Sequence, residues 1–137
     1  MLQDRAKNII NDFLLLGTWE ERYEHLISVG RELDNLKDCF KNDKTILRGC
    51  QSKVWLHCEY KNKKLYFYAD SDALITKGLI ALVVGLYSGL SCDDVLEESA
   101  DVFSKIGLKE HLSMTRLNGL SVMLEKIKFF AKKHSKK

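Results

Sequence analysis

Residues Ala73 to Tyr87 are apolar on nearly every side of a helix. A helix with no polar face has nothing to offer water, so the rest of the chain must wrap around it. Its most apolar run, Leu79 to Tyr87, falls far short of the roughly 20 residues that cross a bilayer. The first expectation is therefore a central, buried helix in a water-soluble fold. The chain has 137 residues, 45% hydrophobic and 30% charged, enough to build one core. It is read as a single domain over residues 1–137.

The flanking sequence supplies the wrapping. Leu2, Ala6, Ile9, Ile10 and Phe13 recur at helical spacing and give a first amphipathic helix over about 2–15. Gly17 breaks it. Thr18 and Glu21 form a capping-box pair for a second helix reaching about Leu33, with Trp19, Tyr23, Leu26, Ile27 and Gly30 on its apolar stripe. Residues 34–44 are polar and read as a loop. The period then changes from helical to alternating. Val54, Leu56, Cys58 and Tyr60 alternate with Trp55, His57 and Glu59, Lys61–Lys64 makes a hairpin turn around Asn62, and Leu65–Ala69 answers as a second strand. Thr45–Leu47 is expected to supply a third. Lys53 and Lys61–Lys64 mark the solvated side of this sheet. Gly89 ends the central helix, Ser91 with Asp94 opens a short one, Gly107 stops a further turn, and Ser113 or Thr115 caps a last long helix with Leu120, Met123, Leu124 and Ile127 on one face. The expected fold class is α+β, a small antiparallel sheet of about three strands packed on several helices.

Charge and cysteine usage narrow the function. The formal net charge is +3, too modest to argue for nucleic acid. Much of the excess is Lys126, Lys128, Lys132, Lys133, Lys136 and Lys137 at the C-terminus, where cations complement a helix dipole. Neither nucleic acid nor a membrane is expected as partner. MLQDRAKNIINDF lacks the apolar core of a secretory signal. A reducing cytoplasm is expected, with Cys39, Cys50, Cys58 and Cys92 as free thiols.

The same residues exclude or weaken several chemistries. Cys50, His57, Cys58, Cys92 and His111 are metal-ligand types, yet no CxxC or HxxxH pair occurs, and His57 and Cys58 point to opposite faces of one strand. No bound metal is expected. His25, His57, His111 and His134 are scattered, with no local Cys–His signature. His57 reads as a strand residue and His134 as tail. Cys58 reads as a small core residue beside Val54 and Leu56, and Cys39 and Cys92 have no special surroundings. Trp19 and Trp55 read as packing residues. Arg48-Gly49-Cys50-Gln51-Ser52 is different. Gly49 permits an unusual backbone angle, Cys50 would project from a loop held by a sheet, and Arg48 would favour the thiolate. The competing reading of Cys50 is a small buried hydrophobe.

Gly49-Cys50-Gln51-Ser52-Lys53-Val54-Trp55-Leu56 resembles the signature of the SufE family of sulfur acceptors. So do Ala69–Ala73 with Lys77–Leu82, His111–Leu120, Trp19–Tyr23 and Tyr87–Gly89, in the family's order over nearly the whole chain. The resemblance implies a fold like that of the IscU scaffold. It implies a non-catalytic carrier whose Cys50 takes persulfide sulfur from a pyridoxal-phosphate-dependent cysteine desulfurase of the SufS or CsdA type and stimulates that enzyme. The sulfur then goes to a SufB-like scaffold for iron–sulfur cluster assembly. It implies no stably bound cofactor, only a transient persulfide on Cys50 in a sheltered apolar cavity at the tip of a mobile loop. Arg48, Gly49, Gln51 and Ser52 would support that loop. An apolar pocket would raise the Cys50 pKa, and Arg48 or Arg116 would lower it.

Asp70, Asp72, Lys77 and Arg116 match charged family positions. Two uses stay open for them. Asp72 suits a helix N-cap and Asp70 or Arg116 an ion pair, or all four serve partner recognition or line the cavity. The sequence departs from the family at Met114 and near Leu36, where proline is usual; there is no proline in the chain. A CsdE-type acceptor, a stand-alone thiol enzyme and an iron–sulfur scaffold are the alternative functions, and either a monomer or a weak homodimer fits.

Overall fold

The computed structural model describes residues 2–33, 36, 38–47, 53–96, 102–108, 112 and 114–135. Along them run α1 (Leu2–Leu14), α2 (Trp19–Glu32), a 3-10 turn (Asp38–Phe40), β1 (Val54–Lys61), β2 (Lys64–Ser71), α3 (Leu74–Tyr87), α4 (Cys92–Leu96), α5 (Val102–Lys105) and α6 (Met114–Ser135). The fold is α+β. Helix α3 lies at its centre, packed against α2, β2, α1 and α6, and Gly78 to Val83, Leu86 and Tyr87 are buried. That is the wrapping its composition demands.

The closest approach in this packing is between α2 and α3. A Cβ built at Gly78 would stand 2.3 Å from the Leu26 carbonyl oxygen, and one at Gly30 would stand 2.8 Å from the Gly78 nitrogen. Two backbones therefore meet where side chains are missing on both helices. At the other end of α3 the Arg5 guanidinium donates to the carbonyls of Ser88 (2.6 Å) and Leu86 (3.3 Å). This satisfies acceptors left unpaired at the helix end and places a cation at its negative pole. Gly89 then turns the chain with φ 83°, and Gly107 ends the next helical stretch with φ 79°.

At the start of α2, Thr18 accepts from the Glu21 amide at 3.2 Å, as the sequence predicts. Glu21 replies one residue further back than a capping box requires, accepting from the Gly17 amide at 3.3 Å. The last helix begins at Met114, so Thr115 falls inside it, while the other candidate cap, Ser113, lies outside the described residues. Leu120, Met123 and Ile127 are buried on its inner face and Leu124 is half-buried. His134, expected as tail, instead stacks on Tyr60 with ring centroids 4.6 Å apart.

Among the described residues the sheet has two strands where about three are expected. β1 and β2 pair antiparallel from Val54↔Ser71 to Lys61↔Lys64. The turn holds Asn62 and Lys63 at φ 52° and 64°, the left-handed pair that a two-residue hairpin needs to match strand twist. Thr45–Leu47 does lie along β1, but only Ile46 makes a bridge, to Trp55. Two hydrogen bonds frame it, from Leu47 N to Val54 O (2.8 Å) and from Leu56 N to Thr45 O (2.9 Å). Leu65 bridges Leu90 on the far edge in the same way. Both edges of the small sheet are thereby covered, which removes open strand edges.

The Gly78 contact makes a pair of opposite predictions. Gly78→Ala should cost about 3 kcal/mol, because the neighbouring atom is backbone and cannot rotate away. Gly85→Ala, also within α3 but with nothing within 4 Å of the added methyl, should stabilise by about 0.5–1 kcal/mol. Urea unfolding of the two variants reads both.

Candidate functional site

The sheet has two unlike faces. Val54, Leu56, Leu65, Phe67 and Ala69 point into the core and are buried. Trp55, His57, Tyr68 and Asp70 point the other way, with Trp55 opposite Asp70 and His57 opposite Tyr68. On this outer face the segment leading up to residue 47 is laid down. Phe40 stacks on the His57 ring, centroids 4.2 Å apart and planes 15° from parallel. Lys41 Nζ sits over the Trp55 ring at 5.2 Å and pairs with Asp70 Oδ2 at 3.0 Å. A turn built on Asn42 then brings the chain to the edge of β1. Its side chain accepts from the Lys44 amide (2.8 Å), its carbonyl accepts from the Ile46 amide (3.0 Å), and the Thr45 hydroxyl donates to the Phe40 carbonyl.

Asp70 is only 5% exposed although it belongs to the outer face. It is covered by its partners. Lys77 of α3 reaches Oδ1 at 3.3 Å, and the Ser71 amide donates to the same oxygen at 2.8 Å. Burial works to raise the Asp70 pKa and is the largest single influence. Lys41, the Ser71 amide and Lys77 together overcome it and hold the carboxyl below its ordinary value of 3.8.

Asp72 does not cap α3. The cap position is Ala73, with no side-chain bond to the helix. The Asp72 carboxylate turns back instead to accept from the Lys53 amide at 3.0 Å, while the Asp72 amide donates to the Lys53 carbonyl at 3.2 Å. The two sides of the segment 48–52 are thus both fixed, at Leu47 by Val54 and at Lys53 by Asp72. Arg48, Gly49, Cys50, Gln51 and Ser52, the residues singled out by sequence, lie outside the described residues, as does His111.

Of the four charged positions matched to the family, the structure brings Asp70 and Lys77 together and puts Asp72 on the exit of the Cys50 segment. Arg116 is exposed on the first turn of α6, and among the described residues Asp70 pairs with Lys41 and Lys77. Lys41 is the residue that sequence reasoning missed. It sits in a polar loop among Asn and Asp residues, where a lysine carries no signal; extending the alternation of the second strand one residue past Ala69 would have put Asp70 on the outer face, where a carboxylate calls for a cation. Beside Leu47 an open groove of about 490 Å³ is lined by Lys44, Ile46, Leu47, Val122, Glu125, Lys126 and Phe129.

Two of the other thiols are made poorer nucleophiles by their surroundings. Cys58 is pushed up to about 12, chiefly by burial, then by Cys92 and Glu59. Cys92 is also raised, by burial and by Asp93. Cys39 is exposed in the 3-10 turn. Among the described residues no three His, Cys, Asp or Glu side chains gather as metal ligands, and no helix is long and apolar enough to cross a membrane.

Two measurements follow from these environments. In a Cys50→Ser background, iodoacetamide at pH 8 should modify Cys39 in the native protein, and Cys58 and Cys92 only after denaturation, as mapped by peptide mass. Asp70→Asn should destabilise by about 1–3 kcal/mol at neutral pH, since it removes the negative charge that two ammoniums share and leaves one acceptor oxygen where there were two. Because the folded Asp70 pKa lies below 3.8, its contribution is complete above that value and is lost as pH falls through the folded value. D70N should therefore lose less stability than the parent between about pH 5 and pH 2.

The comparisons with known proteins agree with this architecture. The SufE family profile, an Fe-S metabolism associated domain, matches residues 7–131. An uncharacterised SufE-like protein of Rhizobium meliloti (strain 1021) is 38% identical over 125 residues, covering 88% of this chain and 89% of that one. The cysteine desulfuration protein SufE of Wigglesworthia glossinidia brevipalpis is 35% identical over 123 residues, covering 88% and 85%. The solution structure of a hypothetical protein from Thermus thermophilus superposes with a TM-score of 0.81 over the full length of both chains at 21% identity, which speaks to the fold alone. With the family profile spanning nearly its whole length and α3 wrapped as its sequence requires, the chain belongs to the SufE family, and its role is in sulfur transfer.

Proposed function

We propose that this chain is a sulfur carrier in which the Cys50 thiolate attacks the outer sulfur of a persulfide on a pyridoxal-phosphate-dependent, SufS-like cysteine desulfurase. The new S–S bond forms on Cys50, the desulfurase's S–S bond breaks, and its cysteine leaves as a thiolate. Atoms and charge balance without an added oxidant or reductant. Draining the persulfide in this way frees the desulfurase for its next turnover, so the carrier stimulates it without being a catalyst by itself. The loaded Cys50 then passes sulfur to a SufB-like scaffold for iron–sulfur assembly. No bound cofactor is needed beyond the transient persulfide, and the work belongs in the cytoplasm, in one domain over residues 1–137.

The observation that carries this reading is the family match over residues 7–131 with Gly49-Cys50-Gln51-Ser52 at the centre of the motif. The structure supports it from the side. Cys58 and Cys92 are thiols silenced by burial, and the ends of the Cys50 segment are fixed at Leu47 and Lys53.

The test is an intact-mass measurement after mixing the chain with a cysteine desulfurase and free cysteine. A gain of about 32 Da, mapped to Cys50, is expected. Cys50→Ser should take up no sulfur and Cys58→Ser should take it up normally. Transfer at the normal rate to the Cys50→Ser protein would refute the assignment.

A further inference from the structure

We propose that the Lys41–Asp70 contact positions the Cys50 segment for sulfur uptake, by holding residues 41–47 on the sheet so that the Leu47–Val54 hydrogen bond stays made. The claim about uptake rests on the carrier reading above; the claim about the anchor does not.

Three observations lead there. First, the leading segment has a weak hold on the edge of β1, a single bridge at Ile46 framed by two hydrogen bonds. Second, the Asn42 turn ties Phe40, Lys44, Thr45 and Ile46 together by side-chain and backbone bonds. Lys41 lies within that turn, and Leu47, the last described residue before Arg48, follows it directly. Third, Lys41 is fixed by a carboxylate that is almost wholly buried on an otherwise outward strand face. Burying a carboxylate there is unfavourable unless charged partners meet it. The partners arrive from separate elements, Lys41 from the leading segment and Lys77 from α3.

The two lysines make different predictions, although they touch the same carboxylate. Helix α3 is held by its own core, so losing Lys77 leaves the leading segment tied to Asp70. Losing Lys41 leaves the outer-face hold to the Phe40–His57 stack. A purely structural cluster would respond alike to either loss. A positioning cluster responds to Lys41 and Asp70 and not to Lys77.

The experiment uses the full chain with Lys41→Met, Lys77→Met, Asp70→Asn and the double variant D70N/K41M. Amide hydrogen exchange is followed at Leu47 and Leu56, with the α3 amides as the global reference. Exchange at Leu47 and Leu56 should rise about tenfold in K41M and D70N with α3 unchanged, and should barely move in K77M. K41M should loosen Leu47 and Leu56 by less in the D70N background than in the parent, since both changes break the Lys41–Asp70 pair while each also removes contacts of its own. In the desulfurase assay the rate of Cys50 loading should fall about fivefold in K41M, through kcat more than KM. Should D70N fail to fold, K41M against K77M carries the comparison.

Unchanged exchange at Leu47 in K41M, or equal loosening in K77M, would overturn the anchor. Raised exchange with undiminished loading would overturn the positioning role. A parent protein that takes up no sulfur would overturn the carrier reading, and the exchange pattern would still decide the anchor by itself.

Discussion

The burial of α3 from Gly78 to Val83 and at Leu86 and Tyr87 governs the rest of the molecule. Because no face of that helix is polar, α2 must lie against it closely enough that Gly30 and Gly78 meet backbone to backbone. The sheet must cover another side with its apolar face, and α1 and α6 must close the remainder. The consequence for function is positional. β2 runs directly into α3 through Asp70, Ser71 and Asp72, so the end of the strand is as fixed as the helix it feeds. Both carboxylates that organise the surroundings of the Cys50 segment stand at this junction, one facing Lys41 and Lys77 and the other facing Lys53.

From that junction the sheet works in two directions. Its inner face contributes core, with alternate residues of both strands buried. Its outer face is a bed for the segment that precedes Cys50, using an aromatic stack at Phe40–His57 and an ion pair at Lys41–Asp70. The two contacts differ in kind. A stacked pair tolerates sliding, whereas a carboxylate between two ammoniums and an amide is directional and defines one position. Replacing a buried ion cluster with apolar residues of the same shape is often neutral for stability, so stability alone does not explain its presence. Fixing the register of a short segment with one bridge to the sheet does.

Much of this was legible in the residues. The period change at Val54 gives β1, Asn62 gives the turn, and the all-apolar run gives α3, each because a local pattern and the tertiary outcome agree. The failures are instructive. Of the third strand expected at Thr45–Leu47, the described residues show one bridge, at Ile46. Asp72 looks like a helix cap because acids favour that position, but the Lys53 amide lies across the strand pair and takes its carboxylate, leaving Ala73 at the cap. Lys41 is invisible because its meaning comes entirely from Asp70, 29 positions away by the numbering. At Asp72 and at Lys41 a long-range hydrogen bond or ion pair decides the outcome, and neither is visible locally. The GCQS motif was legible only as a resemblance, since spacing and composition by themselves left Cys50 open between a reactive thiol and a buried one.

A carrier with several thiols must also keep sulfur from spreading among them. Persulfide exchange needs a thiolate, so the thiolate fraction sets which cysteine takes part. A cysteine with the ordinary pKa of about 8.5 is ionised to roughly 3% at pH 7. Cys58, pushed up to about 12 by burial, would be ionised to roughly one part in 10⁵. That difference, about three orders of magnitude, comes from the same apolar packing that buries α3 and needs no dedicated gate. Cys92 is raised as well and is buried besides. The hydrophobic core thus does double service. It holds the fold together, and it raises the pKa of both thiols packed in or against it, Cys92 and Cys58.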